Sequence, residues 1–269
     1  MRTDTGLEDP IIVCGAPRTG VRLLAAVLDG HPAMASGPEL PFLITLAHQW
    51  RDIDGTLGLN HEQNYALSRD ATRTNFRRCV LDLLASRLSS GGKRRLVLNS
   101  FGMALALNSV AELFPQARFI MTVRDPRSVA GSLLHCEWVN PRDGRPLPYT
   151  RSAAAGGHMW AEFMRSALPH ALALEGQGRL MFLRYEDLCR DSFGTVARLS
   201  AFLSAPGIET AVRADSASLV TLSADQPHPS LRIGPIDRAS VESWRNTLNG
   251  DVAWAEQIPA PLRATFGYV

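Results

Sequence analysis

The sequence has almost no lysine. Of its 28 basic residues only Lys93 is one, so any fixed positive charge set against an anion is an arginine, a planar fork suited to bidentate phosphate or sulfate contacts. Its four cysteines, Cys14, Cys79, Cys136 and Cys189, are far apart and form no C-x-x-C pair. That spacing excludes a zinc-finger pattern and a disulfide framework, and it fits a reducing cytoplasm. No apolar run approaches the roughly 20 residues of a membrane span. The N-terminus MRTDTGLEDP is acidic and polar, without the basic start and apolar stretch of a secretory signal, so a cytoplasmic protein is expected. Net charge is only +2, without the concentrated basic face that a nucleic-acid partner requires. What remains is a globular chain of 269 residues, 45% hydrophobic, long enough to bury a substantial core. No stretch reads as a linker, and one domain over 1–269 is the expectation.

PIIVCG, at 10–15, is a short β-branched apolar run closed by glycine, and RTGVRLLAAVLDGHP carries apolar residues at helical spacing up to a Gly-His-Pro stop. Residues 61–90 read as helix throughout. RRLVLNS and RFIMTVRD read as buried strands, followed by the helical MALALNSVAELFP and PRSVAGSLLH. A helix covers 154–175, RLMFLRYED is a fourth strand, and SFGTVARLSAFLS is an amphipathic helix. The alternation predicts an α/β fold with a central parallel sheet flanked by helices. From 216 to 240 the pattern lapses into Ser, Pro and single apolar residues, a loop long enough to act as a lid.

In VCGAPRTGVRLL, at 13–24, Gly15 and Gly20 have the spacing of a P-loop, G-x-x-x-x-G-K-[ST]. Val21 and Arg22 stand where that loop needs Lys and a Mg²⁺-binding hydroxyl, which weighs against a kinase or nucleotide hydrolase. Strand, glycine turn and helix still aim free backbone N–H groups and a helix dipole at an anion. Its charge would be met by Arg18, Arg22, the Thr19 hydroxyl and backbone amides. On the loop alone, an ordinary tight turn is an equal reading. VRDPRSVAGS places Arg124 at the C-terminal end of a strand, where ligands of open α/β sheets gather, with Ser132 about two turns along the next helix.

Together PRTGVRLL and VRDPRSVAGS resemble two elements of the sulfotransferase family, which uses 3′-phosphoadenosine-5′-phosphosulfate (PAPS) as co-substrate. These are the P-R/K-S-G-T-T-x-L loop around the 5′-phosphosulfate and the R-(x)7-S element for the 3′-phosphate. LDGHPAMASGPE, LFPQARFIMTVRDPR, RYEDL, LSAFL and the final FGY are similar to the tyrosylprotein sulfotransferase branch, and a bacterial homologue of it is expected. The resemblance implies a P-loop-like nucleotide-binding fold and a PAPS site of Pro17, Arg18, Thr19, Gly20, Val21, Arg22, Leu23, Arg124, Ser132 and Ser223. It implies no metal, since the transferred sulfuryl group carries a single charge. It also implies Glu39 as general base, matching the second glutamate of a G-E-E stretch after His-Pro, with Arg18 and Arg22 at the transferred group. His31 suits a turn-capping role, while His135 and His158 are alternative bases.

Three departures stand out. A lysine of the resembled branch, within N-K-D-P, aligns with Ser100, and arginines that grip acidic peptides fall on Pro41 and Thr45. Either Arg22 takes over the lost charge, or the protein is a nucleotide-binding relative with impaired catalysis; losing one preorganised donor costs about 10²- to 10³-fold in rate. The family's late-loop serine matches Ser223 or Thr221. The implied partner is a hydroxyl-bearing acceptor, a small molecule or a peptide tyrosine, in a pocket built from 40–60, 138–160 and 216–240. Trp50, Trp138, Tyr149 and Trp160 either line that pocket or pack in the core. No nucleic-acid partner is expected, and a homodimer is left open.

Overall fold

The computed structural model describes residues 8–66, 68–85, 88, 92–209 and 238–268. Five strands form one parallel sheet: β1 (Glu8–Gly15), β2 (Met34–Ala35), β3 (Arg95–Asn99), β4 (Arg118–Val123) and β5 (Leu180–Arg184), in the order β2-β3-β1-β4-β5. Around it run α1 (Val21–Asp29), α2 (Phe42–Tyr65), α3 (Arg69–Leu84), α4 (Leu107–Leu113), α5 (Pro126–Leu134), α6 (Ala153–Gly176), α7 (Tyr185–Arg190) and α8 (Ser192–Leu203). Three short helices follow: α9 (Ala239–Glu242), α10 (Trp244–Leu248) and α11 (Ala260–Ala264).

Successive side chains of a strand point to opposite faces, and here both faces are covered. Ile12 and Cys14 of β1, Leu96 and Leu98 of β3, and Phe119, Met121 and Val123 of β4 pack with Leu107 and Val110 of α4, Val129 and Leu133 of α5, and Trp160 and Met164 of α6. Their neighbours Ile11, Val13, Val97 and Ile120 pack on the other face, with Leu24 and Leu28 of α1 and Val196, Leu199 and Leu203 of α8. Two-sided burial is why these strands read as continuous apolar runs. It anchors the sheet rigidly, since truncating a fully buried Ile such as Ile12 costs about 2–5 kcal/mol.

The single helix expected over 61–90 is two helices. The first begins at Phe42, because Leu43, Ala47 and Trp50, at i, i+4 and i+7, turn one face into the core. It ends before Ala66, whose φ of 53° is left-handed, and α3 restarts on Ser68, whose hydroxyl accepts from Ala71 N at 3.2 Å.

The topology fixes where loops converge. From β1 the chain leaves through α1 toward β2 and β3, and from the adjacent β4 it leaves through α5 toward β5. Divergent connections from neighbouring parallel strands open a crevice at their C-terminal ends, here beside Gly15 and its partner Thr122.

Candidate functional site

Residues 15–20 turn sharply from β1 into α1. Gly15 has φ +149°, and a Cβ there would lie 2.3 Å from the Thr122 carbonyl oxygen. Gly20, at φ +98°, passes so close to Tyr185 that a Cβ would meet Cδ2 at 2.8 Å. Between them Arg18 adopts φ 68°, a left-handed conformation that costs a non-glycine residue about 1–2 kcal/mol. Arg18 is exposed. Pro17, Val21 and Leu23 are buried. The first intrahelical bond is Leu24 N to Gly20 O at 2.9 Å, and the N-cap Gly20 brings no side-chain cap to the start of α1.

Thr19 departs from expectation. It is fully buried, and its hydroxyl donates to Ala16 O at 2.6 Å and shares a 2.8 Å hydrogen bond with the Thr122 hydroxyl. The hydroxyl expected at the anion is turned inward, where it fastens the loop to β4.

Arg18 and Arg124 meet. Arg124, only 8% exposed at the end of β4, donates from Nη1 to the Arg18 carbonyl at 3.1 Å and from Nη2 to Ser240 O at 3.0 Å. Its Nε is buried without a hydrogen-bond partner. The guanidinium lies over the Tyr185 ring at 4.1 Å, and the Tyr185 hydroxyl pairs with Ser240 Oγ at 2.8 Å. Burial lowers its affinity for its proton, with Tyr185 and Glu186 opposing that effect. From the other side, Arg18 Nε donates to Ser132 Oγ at 2.9 Å. The β1 loop and the Arg124–Ser132 element are therefore joined through both main chain and side chain.

Glu39 sits on the loop after β2. Asn99 at the end of β3 holds that loop: its Nδ2 donates to Gly37 O at 2.8 Å and its carbonyl accepts from Leu40 N at 3.3 Å. Burial raises the Glu39 carboxyl from its ordinary 4.5, and the Arg22 charge opposes the shift. Arg22 in turn is lowered by burial, supported by Glu39 and opposed by Arg18. Arg22 is thus electrostatically linked to both Glu39 and Arg18.

The remaining candidates fall elsewhere. Ser100 is 2% exposed, and no lysine substitutes for it: Lys93 Nζ binds Asp29 O at 3.1 Å and Oδ1 at 2.9 Å, at the end of α1. His31 caps its turn, Nδ1 accepting from Ala33 N at 3.2 Å and Nε2 lying 3.2 Å from Pro206 O. His158 Nε2 lies 3.3 Å from Gln257 Oε1, and His135 is an exposed residue capping α5. Ser223, Thr221 and most of 216–240 lie outside the described residues. No group of three His, Cys, Asp or Glu among the described residues could hold a metal ion, and no described helix is long and apolar enough to cross a membrane.

Sequence reasoning assigned no role to Tyr185, Ser240 or Glu186. Buried Glu186 accepts from Asp125 N and from the Tyr268 hydroxyl, both at 2.9 Å, and ties VRDPR, RYEDL and FGY together. Tyr185 had a legible signal: it follows β5 as Arg124 follows β4, at the ligand-bearing end of adjacent strands.

The sequence profile of the Sulfotransferase family matches residues 10–209. The chain is 24% identical to a protein-tyrosine sulfotransferase of Drosophila melanogaster over 97% of its own length, spanning about half (52%) of that relative. It is 25% identical to the nodulation protein NoeE of Sinorhizobium fredii, over 87% of this chain and 59% of the relative. Among solved structures, the sulfotransferase domain of the Synechococcus olefin synthase superposes with a TM-score of 0.64 at 24% identity, covering 100% of this chain and 98% of that one. A mouse sulfotransferase complexed with PAP superposes with a TM-score of 0.50 at 18% identity, over 96% of this chain and 81% of that one. The chain belongs to the sulfotransferase family.

Proposed function

We propose that this protein transfers a sulfuryl group from PAPS to a hydroxyl of a small or medium-sized acceptor, with Glu39 as general base. One observation supports the reading: the Arg124 guanidinium bonds the Arg18 carbonyl, so the two arginine-bearing elements are in direct contact. The residues fit a doubly phosphorylated adenosine. Arg124 is a buried cation with carbonyl partners and an unpartnered Nε, and such a charge calls for an anion. Ser132 would join it at the 3′-phosphate. Arg18, Gly20 and the N–H groups of Val21, Arg22 and Leu23 would hold the 5′-phosphosulfate at the end of α1. A relative solved with PAP, which is adenosine 3′,5′-bisphosphate, supports the choice of nucleotide.

In the transfer, the Glu39 carboxylate takes the proton of the acceptor hydroxyl while the acceptor oxygen forms a bond to sulfur. The bond from sulfur to the bridging phosphate oxygen breaks, and its electron pair leaves with adenosine 3′,5′-bisphosphate. The raised affinity of Glu39 for a proton suits a base, since proton transfer is most effective with the base near working pH. Arg22, within electrostatic reach of both Glu39 and Arg18, supplies the charge that the missing lysine at Ser100 would have brought.

Calorimetry with adenosine 3′,5′-bisphosphate tests the nucleotide site, and release of that product from PAPS with an acceptor panel tests transfer. Binding that Arg18→Ala or Arg124→Ala abolishes is expected; no binding refutes the proposal. Binding without turnover on any hydroxyl would favour the second reading, a relative that has lost catalysis, which the absence of a basic residue at Ser100 motivates.

A further inference from the structure

A second pocket, of about 200 Å³, is lined by four stretches of chain that are far apart in sequence. They are the start of α5 at Asp125 and Arg127, the end of β5 with α7, the pair α9 and α10, and Gly267 with Tyr268. None of the residues assigned to the nucleotide lines it.

Its walls carry four arginines against three carboxylates, and the carboxylates are already engaged. Asp125 caps α5 by accepting from Arg127 N at 2.8 Å, and it also takes Arg127 Nε at 3.0 Å and Nη2 at 2.6 Å. Glu242 pairs with Arg245 Nε at 3.2 Å. Glu186 accepts from Asp125 N and the Tyr268 hydroxyl, one on each oxygen, while Arg184 Nε stays 4.0 Å away. Two cations are left over. Arg184 Nε is buried without a hydrogen-bond partner. Arg190, exposed at the end of α7, has a guanidinium with no ion-pair or hydrogen-bond partner among the described residues.

Aromatic rings hold the guanidinium groups in place. Those of Arg127 and Arg245 each lie 4.6 Å from the centre of the Trp244 ring, and that of Arg184 lies 4.9 Å from the centre of the Tyr268 ring. Trp50 and Trp160, in contrast, are core residues, 1% and 0% exposed. Stacked guanidinium groups lose less freedom when a ligand arrives, which prepares them for an anion. The size of the pocket restricts that anion, since 200 Å³ falls below the roughly 300–1,000 Å³ of sites for drug-sized ligands. Arginines on different elements offer donors in more than one plane, which suits the four oxygens of a tetrahedral ion better than a planar carboxylate.

We infer that this pocket binds a free tetrahedral oxyanion, inorganic sulfate or phosphate, between Arg184 and Arg190, with Arg127 and Arg245 alongside. The ion joins α5, α7, α10 and the segment at 267–268, so its binding stabilises the fold by mass action. This site stands apart from sulfuryl transfer and does not depend on that reading.

The test is calorimetric titration of sodium sulfate, and separately of sodium phosphate, into protein saturated with adenosine 3′,5′-bisphosphate, at an ionic strength held constant with sodium chloride. The same titrations in Arg18→Ala without nucleotide locate the ion even where the nucleotide fails to bind. Saturable one-to-one binding of at least one ion, with a Kd of about 1 mM or tighter and a matching rise in Tm, is expected, and the tighter ion is the occupant. A hydrogen bond to a charged group is worth about tenfold or more, so Arg184→Gln should weaken binding by about that factor. Arg190→Gln, at an exposed position, serves as the second variant and should weaken it about fivefold while leaving nucleotide affinity unchanged. Arg165→Gln, outside the pocket, should have no effect. No saturable binding of either ion overturns the inference, as does binding that both Arg184→Gln and Arg190→Gln leave unchanged, or acetate binding as tightly as the better of the two ions. Absence of nucleotide binding overturns the sulfuryl-transfer reading alone.

Discussion

Replacing Arg124 with alanine should separate ligand binding from folding. In the free protein the side chain makes two hydrogen bonds, to the carbonyls of Arg18 and Ser240, and stacks on Tyr185 at 4.1 Å. Charged hydrogen bonds contribute about 1.5–3 kcal/mol each and a desolvated cation–π contact up to about 2. Against them stands the several kcal/mol of desolvating a cation that is 8% exposed and has an unpartnered Nε. These terms largely cancel, so Arg124→Ala should change folding stability by no more than about 1–2 kcal/mol, or roughly 2–8 °C in Tm for a chain of this size. On the proposed reading, the same guanidinium faces a phosphate when the nucleotide is bound. Removing one partner of a buried charge pair costs about 2–5 kcal/mol, so the Kd for adenosine 3′,5′-bisphosphate should rise by about 30-fold to a few thousandfold. Arg124→Lys keeps the charge without the planar fork and should fall between the two. Calorimetry and thermal unfolding on the same preparations read both quantities. A Kd within threefold of the parent, together with a Tm drop above 10 °C, would make Arg124 a structural tie and refute the reasoning.

Glu39→Gln should lower turnover about 10²- to 10⁴-fold, the usual contribution of a general base, without changing nucleotide affinity. It should also be as stable as the parent or more so at pH 7. Glu39 binds its proton more tightly folded than unfolded, so its contribution to stability is intact below about 4.5 and is lost as pH rises through the raised folded value. Denaturant unfolding from pH 4 to 8 should therefore show a decline in the parent that is absent in the variant. Arg22→Gln removes the charge opposing that shift, so the acidic limb of the kcat/KM profile should move to higher pH; a limb that stays put would separate Arg22 from Glu39. At Arg18, held at φ 68°, the glycine variant should be about 1 kcal/mol more stable than the alanine variant although both lose nucleotide affinity, and equal stabilities would mean the loop is unstrained.

Much of this was legible in the sequence because the sheet is buried on both faces. PIIVCG, RRLVLNS, RFIMTVRD and RLMFLRYED are runs that only a doubly covered strand tolerates, and each became a strand. The pairing of Arg18 with Arg124 was legible because each follows a strand, and in a parallel sheet those ends lie together. The start of α2 was less legible. Its ITL run and two glycines mask a helical face that appears once Leu43, Ala47 and Trp50 are seen against the core. Nor could spacing tell that the Thr19 hydroxyl turns inward, because that depends on Thr122, which lies 103 positions away. The tryptophans were ambiguous for the same reason: whether an indole faces core or cleft depends on tertiary neighbours that composition does not encode.

The account rests on one nucleotide spanning two arginine-bearing elements, and removing a phosphate from the ligand tests this most directly. Affinities of adenosine 3′,5′-bisphosphate and of adenosine 5′-monophosphate should be measured for the parent, Arg18→Ala and Arg124→Ala. The parent should prefer the bisphosphate by about 10²-fold or more, Arg18→Ala should weaken both ligands while keeping most of that preference, and Arg124→Ala should erase it. A preference for the bisphosphate that survives intact in Arg124→Ala would contradict the account.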